Sequence, residues 1–203
     1  MTLPTNHTEL LNYLVERFGL HKYCEIGVQQ PANNFDKIMA KEWKVAVDPA
    51  MTGKPNTGVA YNCTSDEYFL NRPAEADKFS LFFIDGLHHA DQVKKDFENA
   101  LASLSDDGFI VLHDCLPDDE QSSLVPRVTK RWFGDVYKFA MNIGQYAGIR
   151  YQTFDFDCGC MVVWKAPKTV SSPKRYNEDW QTYLSWKHES MNITTDFSCL
   201  GQR

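Results

Sequence analysis

Four residues in one short stretch have the side chains and spacing for chemistry. Asp85 and His88 follow the apolar run Leu81-Phe82-Phe83-Ile84, and His113 and Asp114 follow a second run, Phe109-Ile110-Val111-Leu112. Carboxylates and imidazoles gathered in two neighbouring loops can move a proton or hold a divalent cation. Asp85 and Asp114 would repel each other if both were ionised, and a shared cation removes that repulsion. An isolated Asp in such a place also serves to hold a turn, and a strand-end His can simply bond a carbonyl.

Neither apolar run has a polar face, so both read as strands covered on both sides. Between them Val93, Phe97, Ala100, Leu101 and Leu104 recur at helical spacing opposite Lys94, Lys95, Asp96, Glu98 and Asn99. Asp106-Asp107-Gly108 then supplies a stop. The result is a βαβ unit, in which ligands gather beyond the carboxyl ends of the strands.

The first part of the chain repeats the plan. Residues 23–28 form a short strand that runs into Gly27, and Phe35, Ile38 and Met39 follow at helical spacing. The intervening loop, Gln29-Gln30-Pro31-Ala32-Asn33-Asn34, lacks the glycines of a pyrophosphate cradle, which disfavours pyrophosphate. A second strand, residues 44–49, ends in Asp48 about twenty residues after the glycine, the place of a carboxylate that takes ribose hydroxyls. Glu25 and Asp48 would then bracket a nucleoside. A third strand is expected over 58–63. Thr64 and Glu67 beyond it have capping-box spacing, so Ser65 and Asp66 read either as the first turn of a helix or as an adenine-contacting loop.

Before these elements, Leu10, Leu11, Leu14, Val15 and Phe18, capped by Thr8 and ended by Gly19, predict a packing helix within residues 1–19. After them come a helix over 127–140 and a closing pair of strands over 149–157 and 161–164. The tail, 166–203, carries Trp180, Tyr183, Leu184 and Trp186 at helical spacing; it would cover the site or join a neighbouring subunit in a homo-oligomer. The expected fold is therefore a single α/β domain over 1–203 with its core at 20–165. Its sheet is doubly wound, Rossmann-like and seven-stranded, mostly parallel with an antiparallel terminal strand.

Composition bounds the function. The chain has 203 residues, 43% of them hydrophobic, enough for one domain with a real core. A formal charge of −6 gives no footprint for nucleic acid or an anionic membrane, so a small or neutral substrate is the default. With no signal peptide and no apolar run approaching about 18 residues, a soluble cytoplasmic protein is expected, with no membrane partner. The six cysteines are scattered and read as reduced thiols. Cys158-Gly159-Cys160 is too tight a spacing for the usual zinc pair, so a structural role is expected there. Trp132, Tyr137, Trp164 and Trp180 read as core or interface residues, and Asp91 as a first-turn helix acid.

Taken together, Glu25-Ile26-Gly27-Val28, Val47-Asp48-Pro49, the stretch 83–91 and Val111-Leu112-His113-Asp114-Cys115 resemble, in order and spacing, the class I S-adenosylmethionine-dependent methyltransferases. They are most similar to the subgroup whose fourth strand ends in Asp-Gly-x-His and whose fifth ends in His-Asp, often encoded with sugar-modifying enzymes. Residues 132–138 and 155–160 resemble later segments of that subgroup, so the likeness spans about 20 to 165. This chain departs from the pattern after Gly27, where a polar stretch ending in Asn33-Asn34 replaces the usual second glycine.

The resemblance implies S-adenosylmethionine held by Glu25, Gly27, Asp48, Ser65, Asp66 and Asp85. It also implies O-methylation of a small-molecule acceptor, a sugar, glycoside or other polyhydroxylated metabolite. A divalent cation, Mg²⁺ or Mn²⁺, would sit on Asp85, His113 and Asp114, with His113 favouring the softer ion. His88, or else His89, would take the acceptor proton, which makes Asp85 and His88 the catalytic pair. Two other readings remain open: a metal-dependent hydrolase built on His88, His89, Asp91, His113 and Asp114, and a nucleoside-binding module without turnover.

Overall fold

The computed structural model describes residues 3–72 and 77–202. The chain forms two compact units, Met1–Leu87 with Lys95–Val111, and His88–Lys94 with Leu112–Arg203.

Unit 1 opens with α1, His7–Phe18, which buries Leu10, Leu11, Leu14 and Val15 and ends at Gly19 in the left-handed region (φ 66°). Its cap is Asn6, whose side chain accepts from the Glu9 N–H at 3.0 Å. The expected cap, Thr8, lies inside the helix, and its hydroxyl donates to Asn34 Oδ1 at 2.7 Å. Five strands follow: β1 Lys22–Ile26, β2 Trp43–Val47, β3 Val59–Tyr61, β4 Phe79–Ile84 and β5 Leu104–Leu112, in the order β3-β2-β1-β4-β5. The registers of β1 with β2, β1 with β4 and β2 with β3 are all parallel. The apolar runs that define β4 and β5 are buried, as strands covered on both faces should be.

The helix expected after Gly27 reduces to one 3₁₀ turn, Phe35–Lys37. The buried Lys44 ammonium donates to the carbonyls of Phe35 and Ile38. Those carbonyls serve the ammonium instead of a helical ladder, and Ile38 is extended. Farther on, α2, Ser65–Asn71, has the capping box read from Thr64 and Glu67. Helix α3, Ala90–Ser103, links β4 to β5. The stop expected at Asp106-Asp107-Gly108 falls inside β5, because the helix already ends at Ser103 and the Leu104 side chain lies over the buried Gly108.

Unit 2 carries β6 Ile149–Phe154 and β7 Cys160–Lys165 as an antiparallel pair, with β8 Ile193–Thr194 parallel to β6, in the order β7-β6-β8. Among the described residues the strands therefore number eight, not seven, in a Rossmann-like α/β arrangement that is mostly parallel. A two-residue strand has no periodicity to read; β8 exists because Asn192 turns left-handed (φ 49°) at the end of α5. The helix expected over 127–140 is present only as α4, Val136–Ala140. Upstream, side chains cap the loop carbonyls: Arg127 donates to Thr129 O, Thr129 to Arg131 O and Trp132 to Leu124 O. Gly134 then breaks the path at φ 62°.

The aromatic tail forms α5, Trp180–Met191, whose Asp179 cap accepts from the Thr182 N–H at 2.8 Å. Tyr183 is buried against Tyr137 and Trp180, with ring centroids 4.9 and 4.8 Å away. Among the described residues no helix is long and apolar enough to cross a membrane.

Candidate active site

In unit 1 the site residues follow the carboxyl ends of parallel strands. Gly27 lies just past β1 at φ 90°, and a Cβ there would stand 2.2 Å from the Asp85 carbonyl oxygen. The Asp85 N–H donates to Ile26 O at 2.9 Å, and the Gly27 N–H to Val47 O at 2.9 Å. Three strand ends thus meet where no side chain fits, and glycine is required for backbone approach. The polar loop beyond it is held by Asp48, which is 8% exposed. Its Oδ2 accepts from the Gln29 N–H at 2.8 Å and its Oδ1 from the Ala50 N–H at 2.7 Å. A carboxylate fixed by two backbone donors orders the turn and keeps lone pairs for further donors such as ribose hydroxyls.

Glu25 is buried, and its Oε2 accepts from the Tyr23 hydroxyl at 2.5 Å and the Asn34 amide at 2.9 Å. Burial pushes its carboxyl up to about 8, with the nearby Asp85 adding to the rise, while Tyr23, Asn34 and Lys44 oppose it. Ser65 opens α2 beyond β3, and Asp66 pairs with Lys95 at 3.4 Å, both exposed.

In unit 2 the centre is Asp114, 5% exposed and left-handed at φ 58°. Its Oδ2 lies 3.1 Å from His88 Nδ1, and its Oδ1 lies 3.5 Å from His113 Nδ1. His113 Nε2 in turn lies 3.9 Å from Asp157 Oδ2. The His88 ring stacks on Trp132 with centroids 5.1 Å apart, and His89 meets the same indole edge-on. The His88 carbonyl accepts from the Asp135 N–H at 3.1 Å, and a Cβ on Gly134 would lie 1.8 Å from that oxygen. The Ala90 N–H donates to Asp135 Oδ1 at 2.7 Å, which ties the histidine loop down from both sides.

A buried carboxylate beside an imidazole stabilises the cationic ring, so the pair suits proton abstraction. Ligand atoms of His113, Asp114 and Cys158 lie within 4.8 Å of one another, a donor set that could hold a divalent ion.

The structure thus gathers Glu25, Gly27, Asp48 and Asp85 at strand ends of unit 1, and His88, His113 and Asp114 in one cluster of unit 2. Sequence reasoning missed the support that Gly134 and Asp135 give His88, the stacking of Trp132 on His88, and the place of Asp157 and Cys158 beside His113. The signal available was the resemblance of residues 132–138 and 155–160 to family segments.

A methyltransferase domain family model matches residues 14–115, half of the chain. No curated protein sequence matches. Among solved structures, similarity extends to a candidate O-methyltransferase from Klebsiella pneumoniae, with TM-score 0.61 and 13% identity over 81% of this chain and 82% of that one. It extends to the O-methyltransferase TomG of Streptomyces achromogenes, involved in tomaymycin synthesis and solved with S-adenosylmethionine (0.60, 12%, 78% and 79%). It also extends to an O-methyltransferase from Bacillus cereus solved with S-adenosylhomocysteine (0.59, 12%, 81% and 82%). At these identities the likeness shows the fold, and the family model shows the kinship. The chain belongs to the methyltransferase domain family.

Proposed function

We propose that the protein methylates a hydroxyl of a small polyhydroxylated acceptor, a sugar or glycoside, with help from a divalent cation. The observation that carries this reading is the buried Asp114 carboxylate between the His88 and His113 imidazoles. A hydroxyl is a poor nucleophile near neutral pH, so an O-methyltransferase needs a proton acceptor, and this cluster supplies one.

The residues fit the cofactor. Gly27 leaves the strand ends open to close approach, Asp48 presents a fixed carboxylate for ribose hydroxyls, and Ser65 and Asp66 stand at the next strand end for the base. When bound, S-adenosylmethionine supplies a methyl group already electrophilic by virtue of its sulfonium, so the protein's part is alignment and proton removal. His88, held by Asp114 and Trp132, takes the hydroxyl proton. The donors of unit 2 fit a cation as well: His113 and Asp114 would hold it, and it would lower the acceptor's pKa. A glycoside acceptor is favoured by the net negative charge and by the subgroup resemblance, and free thiols fit a cytoplasmic location.

Calorimetric titration with S-adenosylhomocysteine, with and without Mn²⁺, tests the reading. Binding near one site per chain is expected, followed by methylation of glycosides that a chelator suppresses. No binding under either condition would sink the proposal. Turnover unchanged by the chelator would favour the second reading, in which the His88–Asp114 pair alone deprotonates the acceptor.

A further inference from the structure

We infer that unit 2 holds a borderline transition ion of the Zn²⁺ or Co²⁺ class through His113, Asp114 and the Cys158 thiolate. This deepens the proposed cation assistance and rests on that reading for its use in turnover. Nitrogen, oxygen and sulfur donors from the three residues lie within 4.8 Å of one another. Donors of one such ion stand about 2.0–2.3 Å from it, so small side-chain rotations close this set onto a common centre.

The backbone holds the set together. Cys158 occupies the hairpin between β6 and β7, where Asp157, Cys158 and Gly159 are left-handed in succession (φ 47°, 69° and 82°). That hairpin is joined to the segment after β5: the Cys115 N–H donates to Gly159 O at 3.1 Å and the Leu116 N–H to Cys158 O at 3.0 Å. Asp114 and Cys158 are therefore each at or next to a residue in the same two-bond clamp. Gly159 permits the approach, since a Cβ there would lie 2.6 Å from the Leu116 nitrogen.

A second observation is independent of this clamp. His113 turns Nδ1 toward Asp114 and Nε2 toward Asp157, 3.9 Å away. At 3.9 Å this is an ionic contact longer than a hydrogen bond, and it leaves a carboxylate within reach of the far nitrogen, the side on which a metal-ligating histidine commonly meets one. Arg131 places Nη2 3.5 Å from Cys158 Sγ, where its charge partly offsets the burial that on balance holds the thiol above its ordinary value.

Thiolate and imidazole select softer ions than Mg²⁺. On binding, the Cys158 S–H proton leaves to solvent as the metal–sulfur bond forms. Three protein donors leave a fourth position open for an oxygen ligand, as in catalytic rather than structural zinc sites. Cys158 is then a ligand, where its spacing from Cys160 predicts only a structural thiol.

The test is titration of the chelator-treated full chain with Co²⁺, read by absorption. A thiolate-to-cobalt charge-transfer band in the near ultraviolet should rise to one equivalent. In Cys158→Ser it should vanish while Co²⁺ affinity falls at least tenfold. Alkylation of the unmutated protein, mapped by mass spectrometry, should show Cys158 protected by Zn²⁺ and Cys63 and Cys199 unchanged. Absence of the band at saturation, its persistence in Cys158→Ser, or unprotected Cys158 would each overturn the site. S-adenosylhomocysteine titration of the same samples separates the two ideas: binding without the band removes the thiolate site alone, and the band without binding removes the methyltransferase role alone.

Discussion

Asp114 brings one buried carboxylate against two imidazoles of unit 2. A non-glycine residue at φ 58° is strained unless its surroundings hold it, and such strain gathers at functional positions. Replacing Asp114 by Asn keeps the shape and removes the charge that supports His88. Turnover should fall by roughly 10²–10⁴ while calorimetry gives an unchanged affinity for S-adenosylhomocysteine; full turnover would refute the assignment. Glu25 carries a different signature. Its carboxyl is raised from 4.5 to about 8 by burial, so the folded chain keeps a proton that the unfolded chain has lost. The associated stability is complete below about pH 4.5 and is lost as pH rises to about 8. Denaturant unfolding should show stability decreasing between pH 5 and 8 by at most about 1.4 kcal/mol per unit, with a flatter slope in Glu25→Gln. His88, His113 and Asp114 were legible because they close apolar runs, whereas Gly134, Asp157 and Cys158 sit in loops whose partners are remote in sequence.

At the scale of elements, two glycines decide whether the loops reach their positions. Gly27→Ala puts a methyl 2.2 Å from the Asp85 carbonyl at φ 90° and should cost roughly 2–5 kcal/mol in unfolding experiments, with weaker cofactor binding. Gly134→Ala collides with the His88 carbonyl and should lower kcat while leaving S-adenosylhomocysteine affinity in place. If kcat were unaffected, the loop at 132–135 would not be what positions His88. Helix α1, the α2 capping box and the β4-α3-β5 unit were readable because each rests on local periodicity or a local cap. The segments 35–39 and 127–133 were misread for the opposite reason. Their helical spacing is real, but Lys44 and the side chains of Arg127, Thr129 and Trp132 meet the backbone groups a helix would have used.

For the molecule as a whole, the proposed cofactor residues belong to unit 1 and the proposed proton acceptor to unit 2, and the kinetic effects should divide accordingly. Asp48→Ala, which frees the loop after Gly27, should weaken S-adenosylhomocysteine binding by tenfold or more. It should also reduce the ligand's thermal stabilisation, which for the unaltered protein is about 2.7 kcal/mol at a hundred times Kd. His88→Gln should leave that stabilisation intact and reduce turnover. Identical losses of affinity in both variants would contradict the division. The sequence by itself determined the α/β class, the parallel strands with their acidic ends, and the kinship with methyltransferases, because burial period, caps and strand-end motifs are local properties of the chain. The tertiary structure alone decided which way Asp114 faces, that Cys158 and Asp157 come beside His113, and that an eighth strand closes the edge at β6. Those outcomes depend on left-handed turns and on backbone bonds between segments some forty residues apart, and no pattern within a single segment encodes such pairings.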